Sequence, residues 1–349
     1  MKYKVKFLPL SAKCFYWGGL SLVSLLILLI FVKPGPMHSG INYYHPSKFS
    51  SMVNGTAHKP FIYRTLVPST IRTIEALTPD TIEKKCIELI SDNLFLEDIY
   101  KTFRWEPYYA YRYIWAVVIM FFSFLGFAHF TVKFIRDFYD LPDSWQSSLL
   151  LATILLLGLP PFFKYTSMIY DPTQLFLFTL ALYMLERNRL KAFFFTFILC
   201  CLNKETAVLL VPLYGIIYFK RPNALTFAGF LSLLVISFLL IKGLLALHYH
   251  NNPGAFLELH LIDHNVTILS HGWNFQAYLT FMLGGILIFF RWQKKPCFLR
   301  VSLYTTLAPL LMMALFFGFF DEWRGYLEAY PVVFALIMDS FLRLKKNCK

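Results

Sequence analysis

The motif NKET at 203–206 places two opposite charges inside one of the most apolar parts of the chain. The apolar runs on either side, 190–202 and 207–219, contain 13 residues each, whereas a helix needs ~20 residues to cross the hydrocarbon core of a bilayer. We therefore expect Lys204 and Glu205 to lie below the membrane surface, in a cavity lined by protein or water. Ionisable groups at that depth are costly and commonly functional, although the two charges could also simply neutralise each other.

Two further polar motifs precede this hairpin. The first, PFIYRTLVP at 60–68, contains Tyr63 and Arg64. The planar, permanently charged guanidinium of Arg64 suits phosphate oxygens, but an arginine that reaches the membrane surface from a surface helix would fit equally well. The second motif begins with Asp171, which is followed by Pro172 and could cap a helix. Capping does not prevent chemistry, because the same helix end is expected to face the proposed cavity.

The stretch FDEWRGYLE at 320–328 joins the last two predicted helices. It combines the acids Asp321, Glu322 and Glu328 with Arg324. A turn in solvent would explain Asp321 and Glu322. It explains Glu328 less well, because that residue is expected just inside the following helix. The stretch is therefore another candidate for a charged site.

A histidine-rich loop is predicted at 248–273. Its ionisable residues are His248, His250, His260, His264, His271, Glu258 and Asp263. His260 and His264 are four residues apart, so a helix would place them on one face, an arrangement that a metal site could use. The HExxH pattern of zinc enzymes is absent, and an ordinary interfacial loop is the alternative. No cofactor is identified, and a divalent metal has no support beyond this spacing. Asn54 and Asn265 begin glycosylation sequons on the same side.

The composition of the whole chain indicates where these motifs must be placed. Of its 349 residues, 57% are hydrophobic and 15% are charged, and the apolar residues come in uncharged runs of helical length. A soluble domain rarely hides so much apolar surface, whereas a bilayer does. The net charge of +13 comes from Lys and Arg clusters beside the apolar runs, as in cytoplasmic loops. Without a continuous basic face, this charge does not indicate a nucleic-acid partner.

The apolar runs predict an all-α protein, a single integral membrane domain at 1–349 that contacts membrane lipid and has about ten transmembrane helices. The predicted spans are 14–32, 112–131, 146–163, 172–185, 190–202, 207–219, 224–247, 274–290, 301–319 and 326–342. The distribution of Lys and Arg places both termini in the cytoplasm. All four charged motifs then lie at extracytoplasmic helix ends.

The first extracytoplasmic loop, 33–111, is the one large segment outside the predicted spans. Apolar residues recur at helical spacing over 61–77 and again over 82–95. This pattern predicts two amphipathic helices that lie on the outer membrane surface. Thr78 is expected to cap the second helix, with Pro79 at its first position.

Four stretches, PFIYRTLVP, YDPTQLFLF, LNKETAVLLVPL and FDEWRGYLEAYP, together resemble bacterial polytopic membrane proteins of the GT-C glycosyltransferase type. The resemblance covers most of the chain. It implies a GT-C-like bundle in the bacterial inner (cytoplasmic) membrane, in which a sugar moves from a polyprenyl-phosphate-linked donor to a glycan, lipid or protein acceptor. The positions that match are Arg64, Asp171, Lys204, Glu205, Arg324 and Glu328. One departure is that 37–52 holds no acid, only His38 and His45, where better-known members carry one.

The resemblance also implies roles for the charged residues. The basic residues would bind the donor phosphate and stabilise its developing charge; they are Arg64, Lys204 and Arg324. One acid would accept the proton of the acceptor hydroxyl; the candidates are Asp171, Glu205 and Glu322. Asn203, Tyr63 and Glu328 complete the expected substrate-binding set.

Two other classes of function remain open at this point. A carrier or flippase for a lipid-linked or anionic solute would use the same basic cavity for binding alone. It would need polar residues that continue to the cytoplasmic half of the bundle, together with inverted repeats, and the sequence indicates neither. A catalytically silent membrane scaffold would leave Lys204 and Glu205 without an explanation.

Overall fold

The computed structural model of the chain describes residues 10–35, 40–219, 223–255, 259–271 and 275–347. The α-helices in these ranges are α1 (Leu10–Val32), α2 (Phe49–Asn54), α3 (Leu66–Ala76), α4 (Asp80–Ser91), α5 (Leu94–Phe103), α6 (Ala110–Phe138), α7 (Trp145–Leu157), α8 (Asp171–Glu186), α9 (Leu190–Asn203), α10 (Leu210–Tyr218), α11 (Ala224–His248), α12 (Thr267–His271), α13 (Phe275–Phe289), α14 (Cys297–Phe317) and α15 (Tyr330–Asn347). No β-strand occurs among the residues described. The prediction of an all-α protein is confirmed for them.

Five helical segments are long and apolar enough to cross a membrane. They are Leu10–Val32, Pro107–Phe138, Trp145–Phe163, Ala224–His248 and Cys297–Phe317. Two of them extend α6 and α7 by short 3₁₀ turns, at Pro107–Tyr109 and Pro160–Phe163. Segments of this length and hydropathy indicate an integral membrane protein that contacts lipid.

The number of ten spans is not confirmed, because the other five predicted spans coincide with helices that are short or carry charge. α8 has 16 residues, α9 has 14 and α13 has 15. α10 has nine residues and follows the 3₁₀ turn Glu205–Leu209, whereas α15 has 18 but ends in a basic turn. A helix of 14 residues rises only ~21 Å, less than the ~30 Å of a hydrocarbon core.

α8 is the central helix of the bundle. It packs between α6 and α9, and 12 of its 16 residues are buried. A helix with apolar residues all round suits this position. Its N-terminus carries Asp171, and Pro172 follows where the missing amide hydrogen costs nothing. The carboxylate therefore lies at the positive end of the helix dipole.

The long loop 33–111 contains helices, but with different boundaries from those predicted. α4 begins at Asp80 rather than at Pro79, and the Thr78 hydroxyl donates back to the Ile74 carbonyl oxygen (2.8 Å) instead of capping α4. The predicted second stripe is divided into α4 and α5 at Asn93. The side chain of Asn93 accepts hydrogen bonds from the amides of residues 95 and 96 (3.0 and 3.2 Å), as an N-cap does.

Three chain segments meet at the N-terminal end of α8. The start of α3 is tied to the end of α9 by the Thr65 amide, which donates to the Leu202 carbonyl oxygen at 2.9 Å. The 3₁₀ segment Trp323–Ala329 packs against α8 and α14 just before α15 begins. The four charged motifs therefore come from different parts of the sequence to one end of the bundle.

Candidate functional site

In the hairpin between α9 and α10, the charged side chains of Lys204 and Glu205 point in opposite directions. Lys204 has an extended backbone (φ −157°, ψ 150°) between the end of α9 and the 3₁₀ turn that begins at Glu205. Successive side chains on an extended backbone point to opposite sides. Lys204 accordingly meets acids of α8 and of the 323–329 segment, whereas Glu205 meets Arg64. Lys204 and Glu205 therefore do not form an ion pair with each other. Each is paired with a residue from another segment.

Lys204 binds two buried carboxylates. Its Nζ lies 3.0 Å from Oε1 of Glu328 and 3.6 Å from Oδ1 of Asp171. Lys204 is 6% exposed, Asp171 1% and Glu328 0%. Buried charges at this depth must be paired to be tolerated, so these three residues depend on one another.

Asp171 also receives Arg324. The Nη1 of Arg324 lies 3.4 Å from Oδ2 of Asp171, while its Nε and Nη2 donate to Oε1 of Glu322 at 3.0 and 2.7 Å. Asp171 thus bridges two cations that come from the α9–α10 hairpin and from the 323–329 segment. Its Oδ1 has no hydrogen-bond donor among the residues described, and neither has Oε2 of Glu328. These two oxygens retain lone pairs that could accept a proton.

Arg64 binds Glu205 on the other side of the hairpin. Its Nε donates to Oε2 at 3.1 Å, and Nη2 pairs with Oε1. Nη1 donates to the Tyr170 hydroxyl. Burial disfavours the charged guanidinium, but the Glu205 carboxylate outweighs burial and raises the pKa of Arg64 above its ordinary value. Arg64 is therefore a fixed cation whose fork is occupied by Glu205.

Neutral residues join the two halves of this network. The Asn203 side-chain amide donates to the Tyr170 carbonyl oxygen (2.9 Å) and to Oε1 of Gln174 (3.1 Å). Gln174 donates to the Thr206 hydroxyl at 3.3 Å, and Thr206 donates to Glu328. Asn203 therefore attaches the hairpin to the first turn of α8.

Most of the predicted site residues converge in this network. They are Arg64, Asp171, Asn203, Lys204, Glu205, Glu322, Arg324 and Glu328. Tyr63 is buried in the turn Phe61–Tyr63 that leads into Arg64. Tyr170, Gln174 and Thr206 were not predicted, although each is adjacent to a predicted residue or one helical turn away from it.

A second polar group lies next to the 320–328 stretch. Asp321 accepts a hydrogen bond from the Tyr165 hydroxyl, and its Oδ1 lies 2.9 Å from Nε2 of His264. Burial raises the pKa of the Asp321 carboxyl, but the hydrogen bonds from Tyr165 and His264 outweigh burial and hold this pKa below its ordinary value. Asp321 thereby connects the segment that contains Tyr165 to the histidine loop.

Within the residues described, the histidine loop does not bring a set of metal ligands together. The rings of His260 and His264 both contact the Phe319 ring, with centroid distances of 4.8 and 4.2 Å. No group of three or more potential metal ligands occurs in the described part of the chain. Glu258 and His38 lie outside the residues described, and so do the side chains of Asp263 and His271.

A groove of about 340 Å³ lies between α3 and the end of α9, beside the charged network. Its walls are hydroxyl-bearing and apolar: Thr65, Leu66, Ser69, Thr70, Thr73, Ile74 and Leu202. Without a charged lining residue, this groove suits a neutral polar group rather than a phosphate.

Comparisons with models of protein families, with characterised proteins and with solved structures found no significant match to this chain. The geometry of the charged network therefore carries the functional argument.

Proposed function

We propose that the chain is a GT-C-type membrane glycosyltransferase-like enzyme, in which about ten helices, including the short ones, cross the membrane. It would move a sugar from a polyprenyl-phosphate-linked donor to a glycan, lipid or protein acceptor, at the extracytoplasmic face of a bacterial inner membrane. The proposal is supported mainly by the environment of Asp171. This buried carboxylate lies between Lys204 and Arg324, and one of its oxygens receives no hydrogen bond among the residues described.

The proposed reaction needs a base on one side and cations on the other. The acceptor oxygen attacks the anomeric carbon of the donor sugar as its proton passes to a carboxylate. The bond between that carbon and the phosphate oxygen breaks, and the phosphate leaves with the electron pair. Fixed cations stabilise the charge that develops on this oxygen. No metal or cofactor is needed to balance these steps.

Asp171 is the best base among the three candidate acids. Both oxygens of Glu205 are engaged by Arg64, and Oε1 of Glu322 accepts two hydrogen bonds from Arg324. A carboxylate whose lone pairs are occupied by arginine is a weak proton acceptor. Asp171, by contrast, keeps one oxygen, Oδ1, that receives no hydrogen bond among the residues described.

A carrier is the second candidate because charged residues are also buried at the opposite end of the bundle. Nζ of Lys295 donates to the Leu336 carbonyl oxygen (2.7 Å) and to the Ser340 hydroxyl (2.8 Å), and lies 3.5 Å from Asp339. Asp339 is nine residues after Tyr330, where α15 begins, a helical rise of ~14 Å. However, protein oxygens already surround the Lys295 ammonium, which favours a structural link between α13 and α15 over a transport site.

The test compares Asp171→Asn with Asp137→Asn in membranes of the source cell. Asp137 is a matched control, because it pairs with an arginine at the other end of the bundle (Arg187 Nε to Oδ2, 2.7 Å). Polyprenyl-phosphate-linked sugars and glycan product are measured by mass spectrometry. We expect Asp171→Asn to lower product formation roughly 10²–10⁴-fold while the linked sugars accumulate. Glu205→Gln should retain more product than Asp171→Asn does.

Two results would contradict the proposal. Full product formation by a stably inserted Asp171→Asn variant would exclude Asp171 as the base. The carrier would be favoured if Asp171→Asn left sugar transfer itself unchanged but kept the linked sugars on the cytoplasmic leaflet of the membrane.

A further inference from the structure

The charges of the network are divided unevenly between its two sides. On the Asp171 side, two cations contact three acids: Lys204 and Arg324 with Asp171, Glu322 and Glu328. On the Arg64 side, one cation contacts one acid, Glu205. Lys242 adds a second positive charge to the Arg64 side.

Lys242 is the one Lys, Arg, Asp or Glu in the 25 residues of α11. Its Nζ is buried and has no hydrogen-bond acceptor among the residues described. Its helix packs against the turn Phe61–Tyr63, which leads into Arg64, and against the turn Glu205–Leu209. Glu205 does not neutralise it directly, since both of its oxygens are bonded to Arg64. The Arg64 side thus carries two cations for one carboxylate.

An unpaired ammonium inside an apolar helix is stabilised by a compensating anion. Lys242 is six residues from the end of α11 at His248, a distance of ~9 Å along the helix. α11 is exposed along most of its length, and Leu234 is the one residue of this helix that is buried as a whole. A helix of this kind faces lipid, so the missing anion is most readily supplied from the bilayer.

We infer that Lys242 and Arg64 bind the phosphate of a lipid-linked ligand that approaches from the lipid-facing side of α11. This inference rests on the proposed function, which requires such a donor. Lys242 offers three ammonium hydrogens, and Arg64 keeps two of its five N–H groups after its bonds to Glu205 and Tyr170. Lys204 and Arg324 are then positioning residues for the carboxylates on the other side.

The test measures binding to the purified full-length chain in nanodiscs. The probes are dodecyl phosphate, dodecanol and inorganic phosphate, and the variants are Lys242→Met, Lys242→Arg and Lys133→Met. Lys133 is a matched control, because it is a lysine in a membrane helix (α6) that contacts a Phe130 ring far from Arg64 in the fold. Lys242→Met keeps the length of the apolar stem and removes only the charge.

We expect Lys242→Met to raise the Kd for dodecyl phosphate about tenfold or more, as the loss of a charge-assisted hydrogen bond should. Lys242→Arg and Lys133→Met should bind it nearly as the unaltered chain does, and dodecanol binding should not change. Dodecyl phosphate should also raise the Tm of the unaltered chain more than that of Lys242→Met. Unchanged dodecyl phosphate binding by Lys242→Met would overturn the inference. Equally tight binding of inorganic phosphate would overturn its assignment to a lipid.

The outcome is separable from that of the proposed function. Asp171→Asn should still bind dodecyl phosphate, because it lies on the other side of the network. Binding that depends on Lys242 in a chain without transfer activity would remove the proposed function and keep the phosphate site. Transfer that depends on Asp171, with no effect of Lys242→Met on binding, would remove the phosphate site and keep the proposed function.

Discussion

Lys204 shows how one residue can hold a buried charged network together. Its ammonium is shared by Glu328 and Asp171, and all three are buried. Removing a single partner from such a group leaves charge without compensation, which costs more than the pair contributes when it is intact. Stability and function therefore cannot be separated by a Lys204 variant alone.

A double-mutant cycle resolves the contribution of Lys204. Lys204→Met should lower the free energy of unfolding by roughly 3–5 kcal/mol, because two carboxylates lose their common cation. Adding Glu328→Gln should restore about 1–3 kcal/mol of this loss, since one of the unpaired charges is then removed. The measurement is SDS-induced unfolding in mixed micelles, with Lys133→Met as the control, expected to change stability by about 0.5 kcal/mol or less. Strict additivity of the two changes would show that the contact carries no coupling.

Asp321 predicts a dependence of local stability on pH. Hydrogen bonds from Tyr165 and His264 outweigh burial and lower the pKa of its carboxyl in the folded chain. The resulting stabilisation is complete above the ordinary carboxyl pKa of ~4 and is lost as the pH falls through the lower, folded value. Hydrogen exchange of 259–266, corrected for the intrinsic rate, should therefore accelerate between about pH 5 and about pH 3. The same acceleration in Asp321→Asn would assign the effect to another group.

Asn265 illustrates what residue identity alone does not reveal. The sequence presents it as a glycosylation sequon, yet its side chain is fully buried. The two N–H hydrogens of its amide are shared among the carbonyl oxygens of residues 314, 315 and 318 (3.0, 2.8 and 2.8 Å), and its oxygen accepts from the residue 320 amide (2.8 Å). Asn265 therefore pins the histidine loop to the end of α14, and its amide is not accessible for modification in the folded chain.

At the scale of elements, the short hairpin was the most informative feature of the sequence. The apolar runs and the NKET motif correctly indicated two short helices with a turn at 203–206. The pairing of Lys204 with Glu328 was not predictable, because it depends on the extended backbone of Lys204 and on a partner 124 positions away. Likewise, the apolar stripe over 82–95 predicted a single helix. The break between α4 and α5 was missed because the apolar spacing continues through Phe95, whereas Asn93 caps a new helix.

Gly158 controls how closely α7 approaches the beginning of α15. A Cβ at this position would lie 2.3 Å from the Tyr330 hydroxyl, which donates to the Leu155 carbonyl oxygen at 2.6 Å. We expect Gly158→Ala to displace that hydroxyl and to cost about 1–3 kcal/mol of unfolding free energy. Tyr330→Phe should be less destabilising in the Gly158→Ala background than alone, because it removes the colliding oxygen. Equal effects in both backgrounds would contradict this contact.

At the scale of the whole molecule, composition was sufficient to indicate a helical membrane protein, and five helices fit that expectation. The count of ten spans was not settled by hydropathy, because α8 and α9 are short and pack on each other, and α8 also packs on α6. Orientation stays a prediction from the distribution of Lys and Arg.

Cysteine labelling tests this orientation directly. In a background without native cysteines, Glu88→Cys in α4 should react with an impermeant maleimide added outside the cell. Lys294→Cys, which is also exposed, should react only after the membrane is permeabilised. Labelling of Lys294→Cys from outside would reverse the orientation and place the charged network on the cytoplasmic side.

We propose above all that the network around Asp171 transfers sugar from a lipid-linked phosphate. The most direct measurement uses proteoliposomes made from purified chain and the polyprenyl-phosphate-sugar fraction of the source membrane, with the loss of linked sugar followed by mass spectrometry. The unaltered chain should consume the linked sugar in the presence of membrane extract as acceptor, and Asp171→Asn should do so roughly 10²–10⁴-fold more slowly while still binding dodecyl phosphate. Equal amounts of linked sugar with the unaltered chain, with Asp171→Asn and with empty liposomes would contradict the account.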